Sequence, residues 1–352
     1  DLFFPVAFIT DLTPCDAFIP GRLVQHLFPF FRREIEGGTL TEHRARELLP
    51  AFWIMFNNHP APPTVGVTAR ESNTYVDFAL INTGGLTPDG ADAVNDLSYL
   101  ILDVVEEMRL LQPSAMVQIS KKNPDRFLKR ALHIVKTGFG QPSIFNTDAI
   151  VQELVRQGKS LSDARCGGAS GCVESGAFGR ECYILTGYFN LPKILELALN
   201  DGVDPLSGDR IGPSTGAADD FTCFEDLFAA FERQLAYFVD IKIMGNNIIE
   251  RLNAKYMPVP FLSLLIDDCI DNGRDYNAGG ARYNTSYIQG VGLGTLTDSL
   301  SSLKYNVFDR RLLSMPEMGK LLAGDFKGGE ALRRRIADET PRYGNDDDAA
   351  DD

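Results

Sequence analysis

The sequence predicts an α/β protein, and three observations carry that prediction. Short apolar runs of strand length recur along the 352 residues. Amphipathic stretches with helix-capping signals lie between them. Several of the apolar runs are continuous rather than alternating, the pattern of strands buried on both faces of a parallel sheet. The strand candidates are residues 6–10, 75–81, 116–119, 183–186 and 259–266. Strands that alternate with helices specify an α/β architecture, and periodicity alone leaves an open sheet and a barrel both available.

Each helix has its own warrant. Thr41 precedes the Leu- and Ala-rich amphipathic stretch 42–56. Asn123 followed by Pro124 marks a helix start, because the fixed φ and missing N–H of proline suit a first turn, and Gly138 follows the expected end. Thr147 is the expected cap of 148–157, with Gly158 as the stop. Thr222 and Glu225 have capping-box spacing ahead of a long apolar-periodic helix running to about residue 253, and Ser314 with Glu317 repeats that spacing. The segment 204–220, rich in Gly, Pro, Ser and Asp, is expected to be a surface loop. No internal repeat is visible.

Composition narrows the function. The chain carries 34 Lys and Arg against 48 Asp and Glu, a formal charge of −14. That balance argues against nucleic acid, which calls for clustered cations. The cluster Arg333-Arg334-Arg335 covers about one helical turn and reads as a solvated face. No stretch approaches the roughly 20 apolar residues of a membrane span, and no signal peptide is visible. The cysteines Cys15, Cys166, Cys172, Cys182, Cys223 and Cys269 are scattered, without a CxxC pair. Reduced thiols in a cytoplasm are therefore expected, and a structural zinc site is not. The chain opens without methionine on the apolar run 2–9 and stops inside the acidic string 346–352, so it is expected to be a piece of a longer protein.

Two motifs resolve to ordinary roles. Gly290-Val291-Gly292-Leu293-Gly294 suggests a dinucleotide loop, but its third glycine comes one residue early, and close strand–helix packing accounts for it better. His26, His43, His59 and His133 form no ligand pair. His43 and His133 fall in helical stretches as structural residues; His26 follows Pro20-Gly21-Arg22, closer to other unusual residues.

The chemistry is concentrated in Gly167-Gly168-Ala169-Ser170-Gly171-Cys172-Val173-Glu174. With Gly176 and Gly179, these glycines are too many for a regular helix or strand interior, and they indicate a sharp loop with Cys172 and Glu174 at its tip. The plain alternative is a tight turn with a buried thiol. If the loop is functional, two chemistries fit. A thiolate nucleophile needs a nearby base, and none is local in sequence. A thiyl radical needs a water-poor setting and a neighbour that handles a proton, which Glu174 supplies.

Gly171-Cys172-Val173-Glu174, with Gly279-Gly280-Ala281-Arg282-Tyr283-Asn284-Thr285, the run 290–299, Pro20-Gly21-Arg22 and Asn190-Leu191-Pro192-Lys193-Ile194-Leu195-Glu196, resembles the glycyl radical enzymes of the pyruvate formate-lyase superfamily. The resemblance runs along essentially all of residues 1–352. It implies part of a ten-stranded α/β barrel made of two half-barrels, with a central cysteine finger loop that meets a glycine loop from a C-terminal domain. It implies a glycyl radical installed by an activating enzyme that uses S-adenosylmethionine and an iron–sulfur cluster, no metal in this chain, a small-molecule substrate, a homodimer and an anaerobic cytoplasm. The Arg-Val-x-Gly-Tyr signature that bears the radical glycine is absent, and so is the N-terminal part of the barrel, so this fragment alone is expected to be inactive.

Pyruvate formate-lyase itself carries two adjacent cysteines at this loop; here Gly171 precedes Cys172, and Glu174 follows the pattern of the eliminating members. The diol dehydratases and choline lyase place proline after that glutamate, where this chain has Ser175. The continuation 178–190 is most similar to the branch that dehydrates trans-4-hydroxy-L-proline. In that branch Cys172 would be the thiyl and Glu174 the proton shuttle. Asp16 would bind the ring ammonium, Ser72 the carboxylate and Phe78 the ring, with Tyr188 and Thr285 completing the pocket. Core packing is the plain reading of Phe78 and Tyr188, and an ordinary loop that of Ser72. The alternatives are dehydration of glycerol or propane-1,2-diol, and an inactive, radical-free homologue acting as a binding subunit.

Overall fold

The computed structural model describes residues 20–57, 79–171 and 174–351. The chain divides into two compact units, residues 1–184 with 250–285 and residues 185–249 with 286–352. The first unit runs through α1 (Leu23–Glu36), α2 (Glu42–Asn57), β1 (Leu80–Gly84), α3 (Asp96–Met108), β2 (Ser114–Ile119), α4 (Asp125–Val135), β3 (Ser143–Asn146), α5 (Thr147–Arg156), α6 (Leu161–Arg165), β4 (Gly168–Ser170) and β5 (Glu174–Gly176). Strands β1, β2 and β3 pair in parallel in that order, with α3 and α4 as the crossovers that parallel pairing requires. The expected α/β class is realised in this sheet.

Both faces of the sheet are covered, which is why its strands read as continuous apolar runs. Ile81, paired with Ala115, joins Leu49 and Trp53 of α2 and Leu97 and Ile101 of α3 in one core. On the other side Leu80 and Met116 meet Ile150 and Leu154 of α5, Ala164 of α6 and Ala169 of β4. Side chains alternate along a strand. Asn82, paired with Met116, and Gln118, paired with Gly84, therefore share the face that meets β4.

Several expected elements shift, each for a local reason. Of the run 75–81, only residues from 79 onward are described, and the strand there is β1; residues 6–10 lie outside the described residues. The run 259–266 is not a strand but a helical turn at Pro260–Ser263. Pro260 starts the turn without needing an N–H partner. Asp275 accepts the Val259 amide at 2.9 Å and the Ser263 hydroxyl at 2.9 Å, locking the turn from a distant point in the chain. The cap of α5 is Asn146 rather than Thr147: its carboxamide accepts the amides of Asp148 and Ala149 at 3.0 and 3.1 Å. β3 ends at Asn146, leaving that residue extended as a cap must be, while Thr147 is buried. The helix start expected at Asn123-Pro124 is realised, with α4 beginning at Asp125; the Asn123 side chain accepts the Ser120 amide at 2.7 Å and donates to the Gly85 carbonyl at 2.8 Å, tying the end of β2 to the end of β1.

Strand β6 (Glu181–Asn190) runs from the first unit into the second, which continues with α7 (Leu191–Leu199) and α8 (Phe224–Tyr256). Strand β7 (Tyr283–Val291), hydrogen-bonded to β6, precedes α9 (Leu293–Leu303), α10 (Met315–Ala323) and α11 (Glu330–Glu339). The core of this unit gathers Ile194, Leu195, Leu227, Phe231, Leu296, Met315, Met318 and Ile336. Gly292 sits at φ +85° where β7 gives way to α9, and a Cβ there would lie 2.7 Å from Pro192, so the expected close strand–helix packing is realised. The Ser314–Glu317 capping box forms, with the Ser314 amide 2.7 Å from the Glu317 carboxylate. Ahead of α8, Asp226 rather than Glu225 takes the amides of Thr222 and Cys223, at 3.0 and 3.2 Å. Arg333, Arg334 and Arg335 are exposed on α11, the expected solvated face. Among the described residues, no helix is long and apolar enough to cross a membrane.

Candidate active site

The glycine-rich loop is a hairpin. β4 and β5 pair antiparallel, with Gly168 opposite Gly176 and Ser170 opposite Glu174, and Gly171 makes the turn at the end of β4. Cys172 and Val173 lie outside the described residues; Gly171 and Glu174 do not. Gly171 has φ +52°, a conformation that glycine adopts without penalty. The Glu174 carboxylate folds against that glycine, so that a Cβ on Gly171 would collide with it. The carboxylate is thereby brought over the residue that precedes Cys172, and only a residue without a side chain leaves it room.

The hairpin is docked by buried polar groups. The Asn82 carboxamide donates to the Ala169 carbonyl at 3.0 Å and accepts from the Gln118 carboxamide at 2.9 Å; Gln118 also donates to the Gly167 carbonyl at 3.3 Å. A Cβ on Gly168 would strike the Gln118 amide nitrogen and lie 2.9 Å from Asn82 Oδ1, so the glycine is what lets this backbone reach the sheet. Arg22, 4% exposed, donates to the carbonyls of Arg165 at 2.9 Å, Gly167 at 3.4 Å and Leu86 at 3.1 Å, and to that of Gly84. Burial pulls its guanidinium down to about 10. One side chain thus joins the end of β1 to the base of the hairpin. Arg22, Asn82 and Gln118 carry no individual sequence signal beyond the Pro20-Gly21-Arg22 motif, because nothing local says which polar strand residues face inward.

Beyond β5 the chain meets a second polar cluster. Glu181, at the start of β6, accepts the Ala177 amide at 2.7 Å and the Thr285 hydroxyl at 2.5 Å, and pairs with Lys159 at 3.0 Å. Asp163 nearby holds Arg180 at 3.1 Å, the Tyr283 hydroxyl at 2.8 Å and Arg282 at 3.3 Å. Although burial opposes its charge, the Tyr283, Ser160 and arginine partners draw the Asp163 carboxyl below its ordinary value. Cys182 is the opposite case from a reactive thiol: burial pushes it up to about 12. His26 is pushed down by desolvation and then by Arg22 and Arg180.

The expected site residues therefore divide. Glu174 stands beside the hairpin tip, and Thr285 stands on β7 against Glu181. Tyr188 lies in the part of β6 that belongs to the second unit and is 67% exposed, so it is not the core residue that its apolar surroundings suggested. Asp16, Ser72, Phe78 and Cys172 lie outside the described residues. No group of three or more His, Cys, Asp or Glu side chains among the described residues is arranged to hold a metal.

The family model described as pyruvate formate lyase-like matches residues 2–352, and the chain belongs to that family. It is 57% identical, over 99% of its length and 44% of the relative's, to a trans-4-hydroxy-L-proline dehydratase of Clostridioides difficile. It is 31% identical over 94% of its length, and 40% of the relative's, to a (2S)-3-sulfopropanediol dehydratase of Klebsiella oxytoca. Its structure is similar to that of the C. difficile hydroxyproline dehydratase with trans-4-hydroxy-L-proline bound, with a TM-score of 0.92 and 58% identity, covering 95% of this chain and 42% of that one. The glycerol-bound B12-independent glycerol dehydratase of Clostridium butyricum gives a TM-score of 0.85 at 34% identity, over 95% and 42% of the two chains. The chain spans less than half the length of these relatives.

Proposed function

We propose that this chain is part of a glycyl radical dehydratase that converts trans-4-hydroxy-L-proline to 1-pyrroline-5-carboxylate. The observation that carries the reading is the Glu174 carboxylate folded over Gly171, next to Cys172 in the chain. The 57% identity to a hydroxyproline dehydratase supports the substrate. On this reading the parallel sheet belongs to a ten-stranded barrel of two half-barrels, residues 1–352 form the part of the barrel around the cysteine finger, and the protein works as a homodimer in an anaerobic cytoplasm. Its radical glycine, supplied from outside residues 1–352, would be oxidised by an activating enzyme that uses S-adenosylmethionine and an iron–sulfur cluster. That radical supplies the one-electron chemistry that starts turnover.

The chain's own residues do the rest. The Cys172 thiyl takes a hydrogen atom from C5, leaving a carbon radical beside the ring nitrogen. Glu174 delivers a proton to the C4 hydroxyl, which leaves as water. Cys172 returns its hydrogen atom to the product radical, and Glu174 is reprotonated as the ring loses a proton on the way to the imine. Asp16 holds the ring ammonium, Ser72 the carboxylate, Phe78 the ring face, and Tyr188 and Thr285 close the pocket. No step calls for a metal on this chain.

The full-length gene product, activated anaerobically, should form pyrroline-carboxylate from trans-4-hydroxy-L-proline, and the product should vanish in Cys172→Ser. A Cys172→Ser enzyme that still turns over refutes the assignment. The likeness to the glycerol dehydratase favours a second reading, diol dehydration. Assays with glycerol and propane-1,2-diol separate the two, since aldehyde without pyrroline-carboxylate moves the substrate to a diol. No product from any of the three, with the glycyl radical verified, points to a different substrate; failure to form the radical favours a radical-free binding subunit.

A further inference from the structure

Lys159 and Glu181 form an ion pair, Nζ to Oε1 at 3.0 Å, whose side chains are 2% and 0% exposed. Withdrawing two charges from water offsets most of what their attraction gains, so such a pair is a poor device for stability alone. What Glu181 holds indicates its use. Oε2 accepts the Ala177 amide at 2.7 Å, on the outgoing arm of the hairpin just past β5. Oε1 accepts the Thr285 hydroxyl at 2.5 Å. Lys159 balances the charge, and is itself fixed by the Gln157 carboxamide at 2.7 Å and by the Tyr283 ring, whose centroid is 5.7 Å away.

We propose that Lys159 and Glu181 are a positioning pair: one buried carboxylate sets both the exit of the Cys172–Glu174 hairpin and the hydroxyl of Thr285. The inference rests on the dehydratase reading of Cys172, Glu174 and Thr285. A fixed carboxylate with two such attachments links the group that moves a proton to a wall of the pocket. A shift of about 1 Å at either end is enough to cost on the order of 100-fold in rate.

The test uses the full-length, activated protein and the variants Glu181→Gln, Glu181→Asp and Lys159→Met/Glu181→Gln. The double variant removes both charges at once and so leaves neither of them buried alone. Four quantities are read: melting temperature, glycyl radical per subunit by electron paramagnetic resonance, kcat and KM for trans-4-hydroxy-L-proline, and hydrogen exchange of the Ala177 amide. The double variant should melt within a few degrees of wild type and carry the normal radical content, yet lose about 100-fold in kcat/KM. Exchange at Ala177 should quicken in it and in Glu181→Gln. Glu181→Asp, which keeps the charge but withdraws it by one methylene, should fold and should also lose kcat/KM, so a double variant that fails to fold still leaves a decisive comparison. Wild-type kcat and KM in the double variant or in Glu181→Asp would reduce the pair to a brace and overturn the inference. So would unchanged exchange at Ala177 in Glu181→Gln, a readout that needs no turnover. Wild-type protein that carries its radical but leaves trans-4-hydroxy-L-proline untouched overturns the functional reading instead.

Discussion

Glu174 is a half-buried carboxylate that a glycine has admitted to the back of a turn. A positioned acid or base is worth about 10²–10⁴-fold in rate. Glu174→Gln in the full-length protein is therefore expected to lose at least about 100-fold in dehydration while the activated protein keeps its glycyl radical. Spin counting alongside a product assay checks this, and undiminished dehydration removes Glu174 from the mechanism. The pattern that marked this residue, a glutamate two positions after a cysteine among glycines, was legible because chain neighbours stay neighbours. Glu181 and Lys159 were not legible in the same way. They are separated by more than twenty residues of sequence, and ordinary acidic and basic residues carry no mark of burial.

At the scale of elements, the hairpin is held by its approach to β1 and β2. A methyl group at Gly168 would collide with the Gln118 amide and lie 2.7 Å from the Phe178 ring. Gly168→Ala should lower the melting temperature and slow turnover, since the hairpin must lift off the sheet; a variant with wild-type melting and rate would show that the contact does not set the hairpin. Gly245, within α8, has open space where a Cβ would go and no left-handed backbone. Gly245→Ala should raise stability by about 1 kcal/mol through helix propensity, measured by denaturant unfolding. Helix stops and several helix starts were readable because caps act within a few residues. The Ser314–Glu317 box is one such case. The Thr147 cap missed by one position because Asn146 and Thr147 are both competent caps, and the end of β3 chose between them. The run 259–266 was misread because apolar composition does not distinguish a short strand from a helical turn, and the deciding partner, Asp275, is remote in sequence.

Across the whole molecule, acidic side chains outnumber basic ones, and those with structural partners will govern stability in acid. Asp163 has a depressed carboxyl in the folded state. A depressed folded value means that the stabilisation is fully present above the unfolded value, about 3.9, and is lost as pH falls through the folded one. The melting temperature of the wild type is therefore expected to fall steeply below about pH 4. Asp163→Asn, lacking that ionisation, should melt lower at neutral pH and show a shallower acid limb in a series of melts from pH 7 to pH 3. Equal slopes for the two proteins would remove Asp163 from the acid response.

The sequence by itself determined the α/β class and the family, and it marked the glycine-rich turn that carries Glu174. Those properties are written in local periodicity and in motifs whose residues lie a few positions apart. Only the tertiary structure decided that Arg22, Asn82 and Gln118 turn inward to dock the hairpin, and that Lys159, Glu181 and Thr285 close into one buried cluster. A polar side chain looks the same in sequence whether it meets water or a backbone carbonyl. Strand pairing and register, which the fold sets across long stretches of chain, fix which of the two it meets.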